Sequence, residues 1–228
     1  MQTNVEFENT KVKKPSLFGI ITSPTVQFIR MKEKAPIGVP LICIMLIGAI
    51  TGALGGYISF NNPLLKNLNS SSEFHLPVGV TIGIGAGGAL ISAAIMVFIM
   101  AAIYKIFMVF MGNDTPYMEL VSIVIYTSVI SYLGSIINCL IALALKGYSP
   151  IYTSLAPLVG DNITIKAIAG NFDIFQIWHY IVLAVGLQIV AGLSKKRAIT
   201  LIVIFFIIGI GFSCIGTLLP QAQGIKTN

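Results

Sequence analysis

From Phe172 to Pro220 the chain reads FDIFQIWHYIVLAVGLQIVAGLSKKRAITLIVIFFIIGIGFSCIGTLLP: an apolar run, then Ser194, Lys195, Lys196 and Arg197, then a second apolar run. Each run has about the 20 residues a helix needs to cross a hydrocarbon layer roughly 30 Å thick. The few polar residues between them leave room only for a tight turn, so the two helices are expected to be antiparallel neighbours. Three adjacent cations in so short a loop resist translocation, and the positive-inside rule puts Lys195, Lys196 and Arg197 in the cytoplasm. That assignment orients every other segment.

The composition agrees. Of 228 residues, 56% are hydrophobic and 10% charged, against roughly a quarter charged in an ordinary soluble domain, which excludes a soluble reading. The net charge of +6 raises nucleic acid as a partner. The cations cluster beside apolar runs and lack interleaved aromatics, so the lipid bilayer is the expected acidic partner and nucleic acid is not. Cys43, Cys139 and Cys214 lie inside apolar runs and read as small packing residues, with no disulfide framework. A cleaved signal peptide is not expected.

Residues 1–16 are polar and are expected to form a mobile tail. Residues 17–36 mix Leu17, Phe18, Ile20, Ile21, Val26, Phe28, Ile29 and Met31 with Arg30, Lys32 and Lys34. Ser23-Pro24 suits a helix start, and the segment reads either as an amphipathic helix in the headgroup layer, its cations on anionic lipid, or as a plain juxtamembrane linker. Then come five apolar spans, about 38–60, 78–103, 120–145, 174–193 and 198–219, and a short tail, 221–228. The first carries Gly48, Gly52 and Gly56, and the second Gly79, Gly83 and Gly87, each set at four-residue spacing, so one face of each helix is smooth enough for close approach. Gly83, Gly85 and Gly88 also match a dinucleotide-binding spacing, but inside so long an apolar run they read as packing. Tyr104 and Lys105 are expected to mark the second span's inner end. In the third span Asn138 stands out, because its amide seeks a partner beyond its own backbone; Gln188 in the fourth is the second such residue. The connection 146–173 is the longest, and part of it is expected to fold back at the interface. Trp178, His179 and Tyr180 read as an aromatic belt near the outer face, and Pro220 is expected to end the last span.

Counting cations tests the orientation. With the amino terminus inside, the inner segments hold ten of the fourteen Lys and Arg residues, and the outer ones hold Lys66, Lys146, Lys166 and Lys226. The expected architecture is an all-α integral membrane bundle of five helices, amino terminus cytoplasmic and carboxyl terminus external.

The chemistry missing from the spans narrows function. No Asp, Glu, Lys or Arg falls in the middle of a span, where proton relays and ion pathways place them. The two histidines, His75 in an outer loop and His179 at an interface, lack the companions of a protease or metal site. No catalytic residue, metal or cofactor is implied.

The stretch from Asn171 and Asp173 through Phe175, Trp178 and Gly186 to Lys195, Lys196 and Arg197 resembles the Yip (Ypt-interacting protein) domain family of five-span membrane proteins. Ile21-Thr-Ser-Pro24 with Phe28 and Pro36, and Thr153-Ser-Leu-Ala-Pro157, are weaker echoes of the same family. The chain lacks the long amino-terminal region and the aspartate-leucine-tyrosine-glycine-proline motif of eukaryotic relatives that serve vesicle traffic. The resemblance therefore points to the bacterial branch, some members of which accompany ABC-type efflux systems, among them one protecting against a secreted peptide toxin. What it implies is a non-enzymatic adaptor in the bacterial plasma membrane, partnered by other membrane proteins such as ABC transporter subunits or by further copies of itself. Two alternatives stay open: a small passive channel or transporter lined by Asn138, Gln188 and the serines of the third span, and a membrane-trafficking factor.

Overall fold

The computed structural model describes residues 13–63, 76–149 and 151–222; most of the expected amino-terminal tail, His75 and the last residues of the carboxyl-terminal tail lie outside them. The chain is all-α, with helices α1 Gly19–Thr22, α2 Pro24–Glu33, α3 Gly38–Asn61, α4 Val78–Phe110, α5 Tyr117–Leu145, α6 Ile163–Gly170, α7 Ile174–Ile189 and α8 Lys195–Ala222, and a single 3-10 turn, Ala156–Leu158, before α6. Helices α3, α4, α5 and α8 are long and apolar enough to cross a membrane; α7 is apolar but has only 16 residues, about 24 Å at 1.5 Å per residue.

Several boundaries depart from expectation: α5 starts at Tyr117 rather than residue 120 and α7 ends at Ile189 rather than residue 193. Helix α4 runs on past Tyr104 and Lys105 to Phe110. Lysine is a good helix former, and the Lys105 ammonium reaches out to donate to the carbonyl of Thr115 at 2.9 Å, so the charge ends nothing. Helix α8 starts at Lys195 rather than Ala198, which moves the three cations from the turn into the first helical turn. It also passes Pro220 by two residues, within the usual scatter of helix ends.

The core is organised around α5, whose Leu120, Val121, Ile123, Ile125, Tyr126 and Ile130 are all buried. Helices α3, α4 and α7 pack on it, and α3 and α4 pack on each other, Gly52 against Gly85 and Gly56 against Thr81. Helix α7 runs antiparallel to α5. A Cβ on Gly134 would stand 2.5 Å from the Cβ of Phe175, and one on Gly186 would stand 3.0 Å from Ile123, so contact is close at both ends of α7.

The segment 15–36 is helical, and its buried face is occupied by protein. Ile20, Phe28 and Met31 are enclosed, α2 packs on α7 and α1 on α5. The Phe28 ring lies where a Cβ on Gly186 would come within 2.8 Å. The Tyr126 hydroxyl donates to the carbonyl of Pro15 at 3.2 Å, and Gln27 accepts from the Ser16 amide at 2.7 Å. Phe18, Val26, Ile29, Lys32 and Lys34 remain exposed, and Arg30 is half-buried. The amphipathic pattern is thus divided between the bundle and the surroundings.

Candidate functional site

Where α7 begins, the chain brings together residues from α5, the long connection and the first turn of that helix. Asp173 has extended backbone at the N-cap of α7, and its Oδ1 accepts from the amides of Phe175 at 2.8 Å and Gln176 at 3.0 Å. Such a cap contributes about 1 kcal/mol. Its Oδ2 accepts from the Thr153 hydroxyl. Asn138 donates to the same hydroxyl at 2.7 Å and accepts from the Thr153 amide at 3.0 Å, while its other amide proton reaches the Gly134 carbonyl at 3.0 Å. Asn138 is therefore saturated by the outer connection and its own helix, not by the neighbouring helix expected of it. The reason is positional: Gly134 lets α7 approach so closely that Asn138, one turn further out, meets the chain entering α7.

Beside this junction lies a cavity of about 250 Å³. Ser131 and Ser135 of α5, Gln176 of α7, Asn138 and Asp173 line it. Thr127 and Ser128 return their hydroxyls to carbonyls of their own helix, as helical hydroxyls commonly do. Among the described residues, the side chains of Ser131, Ser135 and Gln176 make no hydrogen bond. Further out, Lys166 pairs with Asp161 at 2.9 Å. The hydrogen bond and the charge of Lys166 hold the exposed Asp161 carboxyl below its usual range.

A second polar junction ties the α4–α5 turn to the α7–α8 turn. The Asn113 amide donates to the Ala191 carbonyl at 2.8 Å and the Thr115 hydroxyl donates to it at 3.0 Å. Asn113 also accepts from the Thr115 amide at 2.9 Å. The positive φ of Gly112 and of Gly192, 68° and 65°, lets both turns reverse tightly enough to meet. The sequence does not single out Asn113 or Thr115, and it marks Thr153 only as part of a motif, without a bonding role. Gly112-Asn113 is a turn signal in an interfacial connection, and Thr153 opens one of the family-like motifs.

The remaining residues separate by use. Gln188 donates to Ala184 of its own helix at 3.0 Å rather than crossing to a neighbour, since the back-bond is the nearest acceptor in an apolar setting. His179 does cross: its Nδ1 lies 3.0 Å from the Thr127 carbonyl of α5, and because a carbonyl only accepts, that nitrogen carries the proton. Trp178 packs against the core, its ring centroid 6.4 Å from that of Phe175. Gly52 faces α4 so tightly that a Cβ would fall 2.2 Å from the Gly85 carbonyl oxygen; at Gly56 it would fall 2.8 Å from that of Thr81, and at Gly48 3.2 Å from Ala93. Gly79, Gly83 and Gly87 behave oppositely: a Cβ there would have nothing within 4 Å. Lys195, Lys196 and Arg197 are exposed.

The motifs that carry the family resemblance, Thr153 with its followers and Asp173-Ile-Phe175, thus meet at one junction with Asn138, while Gly186 receives Phe28 at the other end of α7. Comparison with known proteins bears out the resemblance. The model of the Yip1 domain matches residues 18–216. Membrane protein YknW of Bacillus subtilis (strain 168) is 34% identical over 234 residues, covering 98% of this chain and all of that protein. No solved structure matches. The chain belongs to the Yip1 domain family of membrane proteins.

Proposed function

We propose that this chain is a non-enzymatic membrane adaptor that assembles with or stabilises a membrane transport complex in a bacterial plasma membrane. By resemblance that complex is an ABC-type efflux system giving resistance to a secreted toxic peptide. The observation that carries the reading is the face of α4 bearing Gly79, Gly83 and Gly87, on which the described residues set no atom within 4 Å of an added Cβ. Lipid tails are as apolar as leucine, so helices associate in a bilayer through close packing of small residues. The sister ridge on α3 is consumed inside the chain, whereas this one is available to another protein. The channel alternative is less well served, since Asn138 spends both amide protons, and Gln188 one of its two, on internal acceptors.

The same reading takes five crossings with the amino terminus inside. Its support is the cation count, the antiparallel run of α7 along α5, and the meeting of the α4–α5 and α7–α8 turns at Ala191. The exposed Lys32 and Lys34, with Arg30, would lie against anionic lipid on that side.

The test is affinity purification in mild detergent after crosslinking. Recovery of transporter subunits at stoichiometric yield is expected, with sharply reduced yield for Gly83→Leu and Gly87→Leu variants that insert and fold. Repeated recovery of the protein alone, or unchanged yield with both variants, overturns the reading.

A further inference from the structure

We propose that the outer cavity beside Asp173 binds the primary ammonium group of an aminophospholipid, whose acyl chain lies in the apolar groove between α7 and α8. The site stands independently of any adaptor role.

The charge comes first. Asp173 carries a carboxylate at the membrane's outer end, and among the described residues it forms no ion pair. Its oxygens offer about four acceptor positions. Three are filled by neutral donors: the amides of Phe175 and Gln176 and the hydroxyl of Thr153. One position and the whole negative charge remain, next to an apolar phase in which a carboxylate calls for a cationic partner. The surroundings supply more acceptors. Ser131, Ser135 and Gln176 line the same cavity with side chains that make no hydrogen bond within the described residues, although the neighbouring hydroxyls of Thr127 and Ser128 do. A primary ammonium has three donors and no acceptor. One carboxylate, one amide carbonyl and a hydroxyl match it.

Size and composition discriminate further. The cavity, about 250 Å³, is several times the roughly 30 Å³ share of one water in the liquid, so a bare ion would leave it mostly empty. A metal is also poorly served: among the described residues no group of three or more His, Cys, Asp or Glu side chains comes together. The tail is the second, independent observation. Phe172, adjacent to Asp173, begins a groove of about 380 Å³ that continues along Ile177, Ile181 and Ala184 of α7 and Ile202 and Phe206 of α8, almost without polar surface. The polar, anionic cup lies on the α5 side of the start of α7 and the apolar trough on its α8 side, so one lipid would span the two halves across the consecutive residues Phe172 and Asp173.

The experiment uses the full chain in mild detergent, native mass spectrometry, and dioleoyl phosphatidylethanolamine against dioleoyl phosphatidylcholine, whose quaternary nitrogen has no N–H to donate. Phosphatidylethanolamine is expected to bind at least about tenfold more tightly. Asp173→Asn keeps an oxygen to cap α7 but removes the charge, and is expected to bring the two lipids within about twofold. Ser131→Ala with Ser135→Ala, which leaves the cap untouched, is expected to cut the preference severalfold and serves if Asp173→Asn does not fold. Equal binding of the two lipids by the parent chain, or an undiminished preference in both variants, overturns the proposal. Free ethanolamine that binds in an Asp173-dependent way while the lipid does not would assign the cup to a soluble amine and overturn the lipid assignment.

Discussion

The two glycine ridges look alike in sequence, yet the structure predicts opposite responses to the same substitution. In Gly52→Ala the new methyl carbon would start 2.2 Å from the Gly85 carbonyl oxygen and 2.4 Å from the Ala89 Cβ. Ordinary contact begins near 3.4 Å, so α3 and α4 must separate locally by about 1 Å, enough to forfeit a quarter to a half of each dispersion contact they share. A backbone oxygen cannot rotate away as a side chain can. The cost therefore belongs near the top of the 1 to 3 kcal/mol typical of overpacking, about 3 kcal/mol, or roughly two decades in the folding equilibrium at about 1.4 kcal/mol per decade. Gly83→Ala meets nothing within 4 Å and gains helix propensity, so its change is expected to be neutral or favourable by up to about 1 kcal/mol. Because Gly52 and Gly85 oppose each other directly, Gly52→Ala and Gly85→Ala together should cost clearly less than the sum of the two singles. The assay is equilibrium unfolding of the purified chain in mixed micelles, followed by circular dichroism. A Gly52→Ala variant within about 0.5 kcal/mol of the parent, or a Gly83→Ala variant as damaged as Gly52→Ala, would refute the packing argument.

Other outcomes follow from the same geometry. Asn138→Ala strips the Thr153 amide of its acceptor and is expected to cost about 1 to 3 kcal/mol in the same assay, whereas Gln188→Leu, which loses only a back-bond within its helix, should stay within about 0.5 kcal/mol. At the inner junction, Asn113→Ala with Thr115→Val leaves the Ala191 carbonyl without either donor, and faster amide exchange at residues 190–194 is the expected readout. A cysteine placed at Ser194 should react with membrane-impermeant reagents only from the cytoplasmic side, and labelling from outside would reverse the proposed orientation. Lys166→Met should raise the Asp161 carboxyl toward the ordinary range in an NMR titration. Since the folded-state value is the lowered one, whatever the pair contributes is present above the ordinary carboxylate range and lost as pH falls through the lowered value.

Much of this fold is legible because lipid imposes a length rule on apolar runs: α3, α5 and the end of α8 lie close to the limits that hydropathy and flanking polar residues suggest. The extension of α4 was not legible, because Lys105 looks like a stop yet finds its acceptor ten residues on, at Thr115. Of the two glycine ridges, sequence spacing identifies both and cannot rank them; which one meets another helix depends on how α3 and α4 are rotated, and Ala89 and Gly85 decide that only once the pair is formed. Asn138 announces that it needs a partner. Its partner, Thr153, lies in a connection without apolar periodicity, so only the family-like motif that it opens marks it, and that motif does not say what it bonds. The segment 15–36 shows an amphipathic pattern, and pattern alone does not distinguish a face that lies on lipid from one that lies on Gly186 and α5.

The shortness of α7 makes the placement of these polar junctions intelligible. At 16 residues it falls about 6 Å short of a hydrocarbon layer roughly 30 Å thick, so the groups at its ends need partners that lipid cannot provide. Each end is supplied differently. At the amino-terminal end, Asp173 holds the first free amides and is itself held by Thr153, so the long connection is drawn down onto the helix start. At the carboxyl-terminal end, Gly186 admits Phe28 and the Ala191 carbonyl receives two donors from the turn before α5, so α2 and that turn close the other end. Lengthening α7 would make these contacts unnecessary and would also carry Asp173 away from Asn138. A short, doubly capped helix at the centre thus fixes where the outer cavity forms, while α4, the longest helix of the bundle, keeps an unfilled glycine face that none of these junctions touches.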